Sequence, residues 1–458
     1  MSVRVIELND SALRVIDQGR VILSSPGYAM LDGKQMHLGE AAQQQARLRP
    51  TQSYNKYWQQ LSLEPLPNTP SGVRHFADIA YAHVMHLARS ADLSGDVILA
   101  VPGYFSNQQL AILLGLVRQS PFNALGVVDS AVAAAAAVAK GESVIYADMQ
   151  LHQVLLTRLI LKNGVLQRDT VLQVPGVGAS QFMDLLMQLV TSLFIQQTRF
   201  NPQHNAESEQ QLYNELPNWL RQSHDLSSNL MMELTAGGNV YQAKLPGENL
   251  VRRLGDYYLR INDKIRTLAG DDSSHILIAQ NLASFPGYLA SLQGLGQAEV
   301  VSPESLGKTC IQLQDHIRSQ GNEFRFVTSL PLAREMVGGR VNGQVFPDPG
   351  GQVSLPTHIL AGHRALPLGR VEVANGRTRN DNGAINGHVI HMDLSGLPEH
   401  LGQIERDGDQ VVIACGAAGA LVNGVRVSGR QALQLGDRVG FGDKGDELLL
   451  IRVQDGQA

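Results

Sequence analysis

Apolar and polar positions alternate from the start of the chain. Val3-Arg4-Val5-Ile6-Glu7-Leu8 and Ala12-Leu13-Arg14-Val15 predict two short strands, joined at Asn9-Asp10-Ser11. Val73 to Ala88 carries a helical period, and Val97 to Val101 is a continuous apolar run halted by Pro102-Gly103, the pattern of a strand covered on both faces. Ser106 or Asn107 can cap the apolar helix that runs through Val117, and Val127-Val128 leads through Asp129-Ser130 into an alanine-rich helix ending near Gly141. A strand follows from Ser143 to Tyr146. Phe182, Leu185, Leu186, Leu189, Val190 and Leu193 then mark one buried helical stripe, with Ser180 available as cap. Asn201 to Glu215 is polar and reads as an exposed loop or solvated subdomain. Leu250 to Leu268 returns to a helical period before the strand-like His275 to Ala279.

The alternation of helix and strand runs to about residue 330. Val337 to Pro356 then brings Gly338-Gly339 and Pro347-Asp348-Pro349-Gly350-Gly351 without any period, which predicts a linker over 331–356. Beyond it, strand-like runs such as His388 to Met392, Gln410 to Ala414, Leu433 to Leu435 and Glu447 to Val453 are divided by turn signals at Asp407-Gly408-Asp409, Asn423-Gly424 and Gly436-Asp437. The expected fold class is therefore α/β over 1–330, followed by an all-β sandwich over 357–458.

Composition narrows the function classes. With 458 residues, 43% hydrophobic and 17% charged, the chain has the make-up of a multi-lobed globular protein. A net charge of −5 leaves no basic footprint, so nucleic acid is not an expected partner. Cys310 and Cys415 have no CxxC spacing, which fits a reducing cytoplasm rather than a disulfide framework or a cysteine-rich zinc site. The opening MSVRVIELND reads as strand, and the longest low-polarity run, Ala131 to Ala139, is too short to span a bilayer. A cytoplasmic location without a membrane span is the expectation.

Several segments, in order, carry a family resemblance. Leu38-Gly39-Glu40-Ala41-Ala42, then Val97-Ile98-Leu99-Ala100-Val101-Pro102-Gly103-Tyr104-Phe105 with Ser106 to Gln109, then Asp129-Ser130-Ala131, and then Ile145 to Asp148 resemble the nucleotide-binding domain of DnaK-type heat-shock chaperones. The resemblance covers roughly residues 1 to 310 and implies the two-lobed actin-like ATPase fold, in which two mixed sheets flanked by helices close on a nucleotide.

The residues that would hold ATP depart from that pattern. Phosphate-binding hairpins need glycines, because a Cβ would fill the space that the phosphates take. The first hairpin, Asp-Leu-Gly-Thr-Thr in the family, is Glu7-Leu8-Asn9-Asp10-Ser11 here; the second, Asp-Leu-Gly-Gly-Gly-Thr, is Asp148-Met149-Gln150-Leu151-His152-Gln153. The adenosine loop aligns with Ala279 to Pro286 without its glycines and arginine, and the Glu-x-x-Lys clamp falls on Leu220 and Ser223. Losing three charge-assisted hydrogen bonds at about 1.5–3 kcal/mol each removes about 4.5–9 kcal/mol, against about 8 kcal/mol for micromolar binding. The resemblance thus implies a pseudo-ATPase without catalytic residues. Under the alternative reading, an ATP-binding chaperone or nucleotide-dependent switch, Glu7, Asp129 and Asp148 are the acids that would serve ATP and magnesium.

The C-terminal part resembles forkhead-associated domains. Gly419-Ala420-Leu421-Val422-Asn423-Gly424 and Leu433-Gln434-Leu435-Gly436-Asp437-Arg438-Val439-Gly440-Phe441-Gly442 carry the likeness. Where that family places Ser-Arg-x-His against phosphothreonine, this chain has Leu397-Pro398-Glu399-His400, so only His400 matches, and Arg370, Arg377 and Arg379 are the remaining candidates for a phosphate contact. His83 with His86, and His388 with His391, lack a third ligand nearby in sequence, and Gly176-Val177-Gly178 lacks the last glycine of a dinucleotide fingerprint. The sequence reading is a non-hydrolysing, chaperone-derived scaffold or regulator whose partners are other proteins.

Overall fold

A computed structural model describes residues 3–451 apart from 34, 67–72, 223–228, 271–273, 320–324, 334–354, 362–363, 377–387, 393, 395, 409, 424 and 443–446. Most of the expected linker, Ser223, Arg377 and Arg379 lie outside the described residues. The chain is mixed α/β and contains several sheets. No helix among the described residues is long and apolar enough to cross a membrane.

The first sheet begins as an antiparallel meander of β1 (Arg4–Glu7), β2 (Leu13–Asp17) and β3 (Arg20–Ser25). β4 (Gly95–Val101) joins β1 in parallel, and β5 (Phe122–Asp129) joins β4 in parallel. The second sheet repeats the plan: β6 (Ser143–Met149), β7 (Gln153–Lys162) and β8 (Val165–Pro175) form the meander, and β9 (His275–Ala279) and β10 (Ala298–Val301) extend it in parallel from β6. Short strands β11 (Phe326–Val327) and β12 (Ser329–Pro331) close one edge of each sheet, beside β5 and β8.

Side-chain alternation along these strands gives each sheet two buried faces. In the first sheet, Ile6, Val97, Leu99 and Val101 face a core with helices α1 (Phe76–Ser90) and α2 (Asn107–Arg118). In the second, Ile145, Ala147, Ile276 and Ile278 face a core with α4 (Ala179–Thr198), α5 (Ala206–Gln222) and α6 (Gly247–Ala269). The opposite faces, with Val5, Ile98 and Ala100 from one sheet and Val144, Tyr146 and Leu277 from the other, meet in one shared core around α3 (Ser130–Ala135) and α7 (Pro303–Gln312). The ends of β1, β5 and β6 are thereby brought to a common region.

Three local expectations change. The segment from Asn201 to Glu215 is not a loop: α5 occupies most of it, because Leu212, Tyr213, Leu216 and Trp219 bury one stripe while Glu207, Glu209 and Glu215 stay on the outside. The alanine-rich helix stops at Ala135, short of Gly141, and its alanines are buried within the shared core. Ser180 is no cap; α4 starts at Ala179, and the amides of Ala179 and Ser180 donate to the carbonyls of Gln150 and Leu151 at 3.0 and 2.8 Å. That approach is why position 178 is glycine: a Cβ there would lie 2.2 Å from the Gln153 nitrogen.

Every element described from His358 onward is a strand. β13 (His358–Ala361), β14 (Arg364–Pro367), β19 (Ala420–Val422), β20 (Val425–Val427), β22 (Arg438–Gly440) and β23 (Leu448–Ile451) form a six-stranded sheet. β15 (Arg370–Asn375), β16 (His388–Met392), β17 (His400–Asp407), β18 (Gln410–Cys415) and β21 (Arg430–Leu433) form a five-stranded one. Ile359, Val439, Leu448 and Leu450 of the first interlock with Val371, Val373, Ile404 and Ile413 of the second in a single core.

Candidate functional site

Polar side chains crowd both the β1–β2 turn, with Asn9, Asp10 and Ser11, and the β6–β7 turn, with Gln150 and His152. In the first, the Asn9 side-chain oxygen accepts from the Ser11 amide at 2.9 Å and from the Ser11 hydroxyl at 2.7 Å, a local turn that shapes the hairpin and leaves the Asn9 amide group free to reach outward. In the second, the Gln150 amide donates to the Gln153 carbonyl at 2.8 Å.

The two turns press against each other. Asn9 Nδ2 donates to both carboxylate oxygens of Asp148, at 2.9 and 3.0 Å, and lies 3.1 Å from the Met149 carbonyl. The Asp10 amide donates to Gln150 Oε1 at 3.2 Å, and the Leu151 amide donates to Asp10 Oδ1 at 2.6 Å. Gln150 Nε2 donates to Asp148 Oδ2 at 2.6 Å. Asn9, Asp10, Asp148 and Gln150 are all buried. Asn281, just after β9, donates to the Met149 carbonyl at 2.7 Å and to Ser11 Oγ at 3.2 Å, fastening both turns from one side. Side chains and backbone of the two hairpins thus satisfy one another directly. The amides at the start of α4, which would otherwise form an anion-binding end, are taken by the Gln150 and Leu151 carbonyls.

Each sequence-predicted acid has its own partner. Glu7 accepts from Arg14 Nη1 at 2.8 Å. Asp129, fully buried, accepts from the Ala131 and Val132 amides as the cap of α3 and from Arg168 Nη1 at 2.9 Å. Burial raises the Asp129 pKa above the ordinary carboxylate value, and the Arg168 charge only partly offsets this. Burial, followed by the charge of Glu7, pushes Asp148 up to about 8, and burial lifts Asp10 to about 6. Glu7 and Asp148 come together beside one small recess, also lined by Arg14, Tyr146 and Asn281. Asp129 is directed instead to Arg168, and no group of three metal-ligating side chains occurs among the described residues.

A second set of contacts covers the rim. Tyr28 and Tyr213 share a hydrogen bond at 3.0 Å, and Gln210 accepts from the amides of Arg47 at 2.7 Å and Leu48 at 3.3 Å while donating to the Gln43 carbonyl at 3.2 Å. Arg47 pairs with Asp184, lies 3.8 Å from Glu209, and stacks 4.9 Å from the Tyr213 ring centre. Leu151 packs under this rim with Tyr28, Met30 and Ala42, so the β6–β7 turn belongs to both contact sets.

A few residues beyond Asn281, Phe285 lies with its ring centre 4.5 Å from that of Phe182, and Pro286 accepts from the Tyr258 hydroxyl at 2.7 Å. This segment is part of the second sheet's hydrophobic core. The His83–His86 pair is structural: His83 Nδ1 faces the Tyr57 hydroxyl at 2.7 Å and the Trp58 indole at 3.3 Å, while its Nε2 faces Ser25 Oγ at 2.8 Å. His400 sits exposed beside Glu372 at 3.1 Å, and Arg370, also exposed, donates to Gln403 at 3.1 Å. Sequence reasoning missed Arg14, Arg168, Gln210 and the cross-turn roles of Asn9 and Gln150. The side-chain amides in the two turns were the available signal for the last two.

No family model matches the chain, and no curated protein matches it.

Proposed function

We propose that the chain is a non-hydrolysing, DnaK-like scaffold or regulator, with an actin-like body that no longer takes nucleotide and a forkhead-associated-like C-terminal domain. The observation that carries this reading is the direct hydrogen bonding of Asn9 and Asp10 to Asp148, Gln150 and Leu151. Those two turns align with the family's phosphate hairpins, and here their polar groups are spent on each other. Removing such buried bonds costs about 1–3 kcal/mol for each group left unpaired, so a phosphate must displace a network rather than enter a vacant cradle.

The repeated strand plan of the two sheets and their shared core support the two-lobed reading. The two C-terminal sheets around one core support the sandwich reading. In place of the family's peptide-binding β-domain and helical lid, these sheets supply the second binding surface. The proposed setting is the cytoplasm and the proposed partners are proteins. Their recognition does not follow the family's phosphothreonine pattern, of which only His400 is present.

Calorimetric titration of the purified chain with ATP and ADP in magnesium, with a thermal-shift control, tests the proposal. Silence at millimolar nucleotide is expected. Micromolar binding would overturn it in favour of a nucleotide-dependent switch in which Glu7 and Asp148 serve the metal.

A further inference from the structure

Helix α2 is apolar in every direction. Leu110 to Val117 are eight consecutive buried residues, and at 100° per residue they point all round the helix axis. The first sheet covers only one side of such a helix. Helix α1 and the C-terminal six-stranded sheet share the rest: Leu360, Leu449 and Ile451, like Ala80, Val84 and Leu87 of α1, belong to the same core cluster as Leu110, Leu113 and Leu114. Their neighbours along the strands, Ile359, Leu448 and Leu450, point the opposite way into the core between the two C-terminal sheets. β13 and β23 pair so that Leu360 lies opposite Leu449 and His358 opposite Ile451, which makes one continuous buried patch. Arg118 at the end of α2 also reaches the Leu360 carbonyl at 3.4 Å.

The outer face of the five-stranded sheet has the opposite character. Arg430 pairs with Glu405 at 3.1 Å and Asp407 at 3.0 Å, and Arg370 donates to Gln403. That face is suited to water, as the outer face of a packed pair of sheets ordinarily is. The six-stranded sheet instead has apolar residues on both faces, one for its own core and one for α2.

We infer that the six-stranded sheet is seated permanently on helix α2 and joins the C-terminal unit to the first sheet as one rigid body. Whatever the C-terminal unit binds is then held at a fixed position relative to the two hairpins. The inference rests on packing alone and is independent of whether nucleotide binds.

Backbone relaxation by NMR on the deuterated full chain tests it without any variant. The expected result is one rotational correlation time shared by amides of β4 and β17. A distinctly shorter time for β17 would overturn the inference. Leu449→Asp gives a second reading: hydrogen exchange across Leu110–Val117 should quicken roughly tenfold or more while β6 keeps its protection. Unchanged protection of that helix in the folded variant would show that the sheet does not cover it.

Discussion

Asn9, in the turn of one sheet, gives its side-chain amide to both carboxylate oxygens of Asp148, on a strand of the other. Neither residue has water to fall back on, since both are buried. Through this one pairing the Asn9 side chain links the two sheets.

Asn9→Ala therefore removes two donors from a buried carboxyl group and should lower stability by about 1–3 kcal/mol, measured as a shift in urea midpoint. A cycle with Asp148→Ala isolates the pair, and a coupling of about 1–3 kcal/mol is expected because the two residues touch. Additive single effects would mean that the contact contributes nothing beyond local packing.

Acidity at the same place sets a pH dependence. Asp148 is raised from an ordinary carboxylate value to about 8 and Asp10 to about 6, mainly by burial. The folded state thus holds protons that the unfolded chain has released. Stability from these groups is fully present below about pH 4, falls through about pH 6 as Asp10 ionises and through about pH 8 as Asp148 does, and is level above that. Asp148→Asn, which keeps the shape without the charge, should flatten the decline between about pH 6 and 8 in thermal unfolding scans. An unchanged slope would assign the decline to other groups.

Arg168 faces a different carboxylate under stricter conditions. Asp129 is completely buried, and Arg168 is its cationic partner at 2.9 Å, held over the Phe326 ring at 5.3 Å. Arg168→Ala leaves a buried charge without compensation and should cost about 3–5 kcal/mol. Arg168→Ala combined with Asp129→Asn should recover part of that loss, because the neutral side chain still caps α3. Failure to recover would point to the lost packing of the arginine instead.

The repeat of strand and crossover was legible wherever side chains followed one period. Val97 to Val101 reads as a doubly covered strand because both of its faces are in fact covered, and Ser106 reads as a cap because it accepts from the Gln109 amide. Helix α5 was hidden by composition: its glutamates and glutamines outnumber the buried stripe, and Pro217 lies inside it. The site was half legible. Asn9 and Gln150 stand out as amides in hairpin turns, but nothing local indicates that both find a partner at Asp148, 139 and two residues away respectively. Arg14 and Arg168 look like ordinary strand residues until the sheets bring Glu7 and Asp129 to them.

The rim separates two kinds of contact that look alike on paper. Arg47 has an ion pair with Asp184 and a longer one with Glu209, but all three side chains are more than a quarter exposed. Solvent screening and the entropy of holding long side chains reduce such pairs to about 0–1 kcal/mol. Gln210 is buried and satisfies two main-chain amides and one carbonyl across the rim. Gln210→Ala leaves those groups unpaired and should cost about 1–3 kcal/mol, with faster hydrogen exchange at the Arg47 and Leu48 amides. Arg47→Ala should cost about 1 kcal/mol or less, a difference that shrinks further at high salt. If Arg47→Ala proves the more damaging of the two, charge and stacking on Tyr213 hold the rim, and the buried amide is secondary.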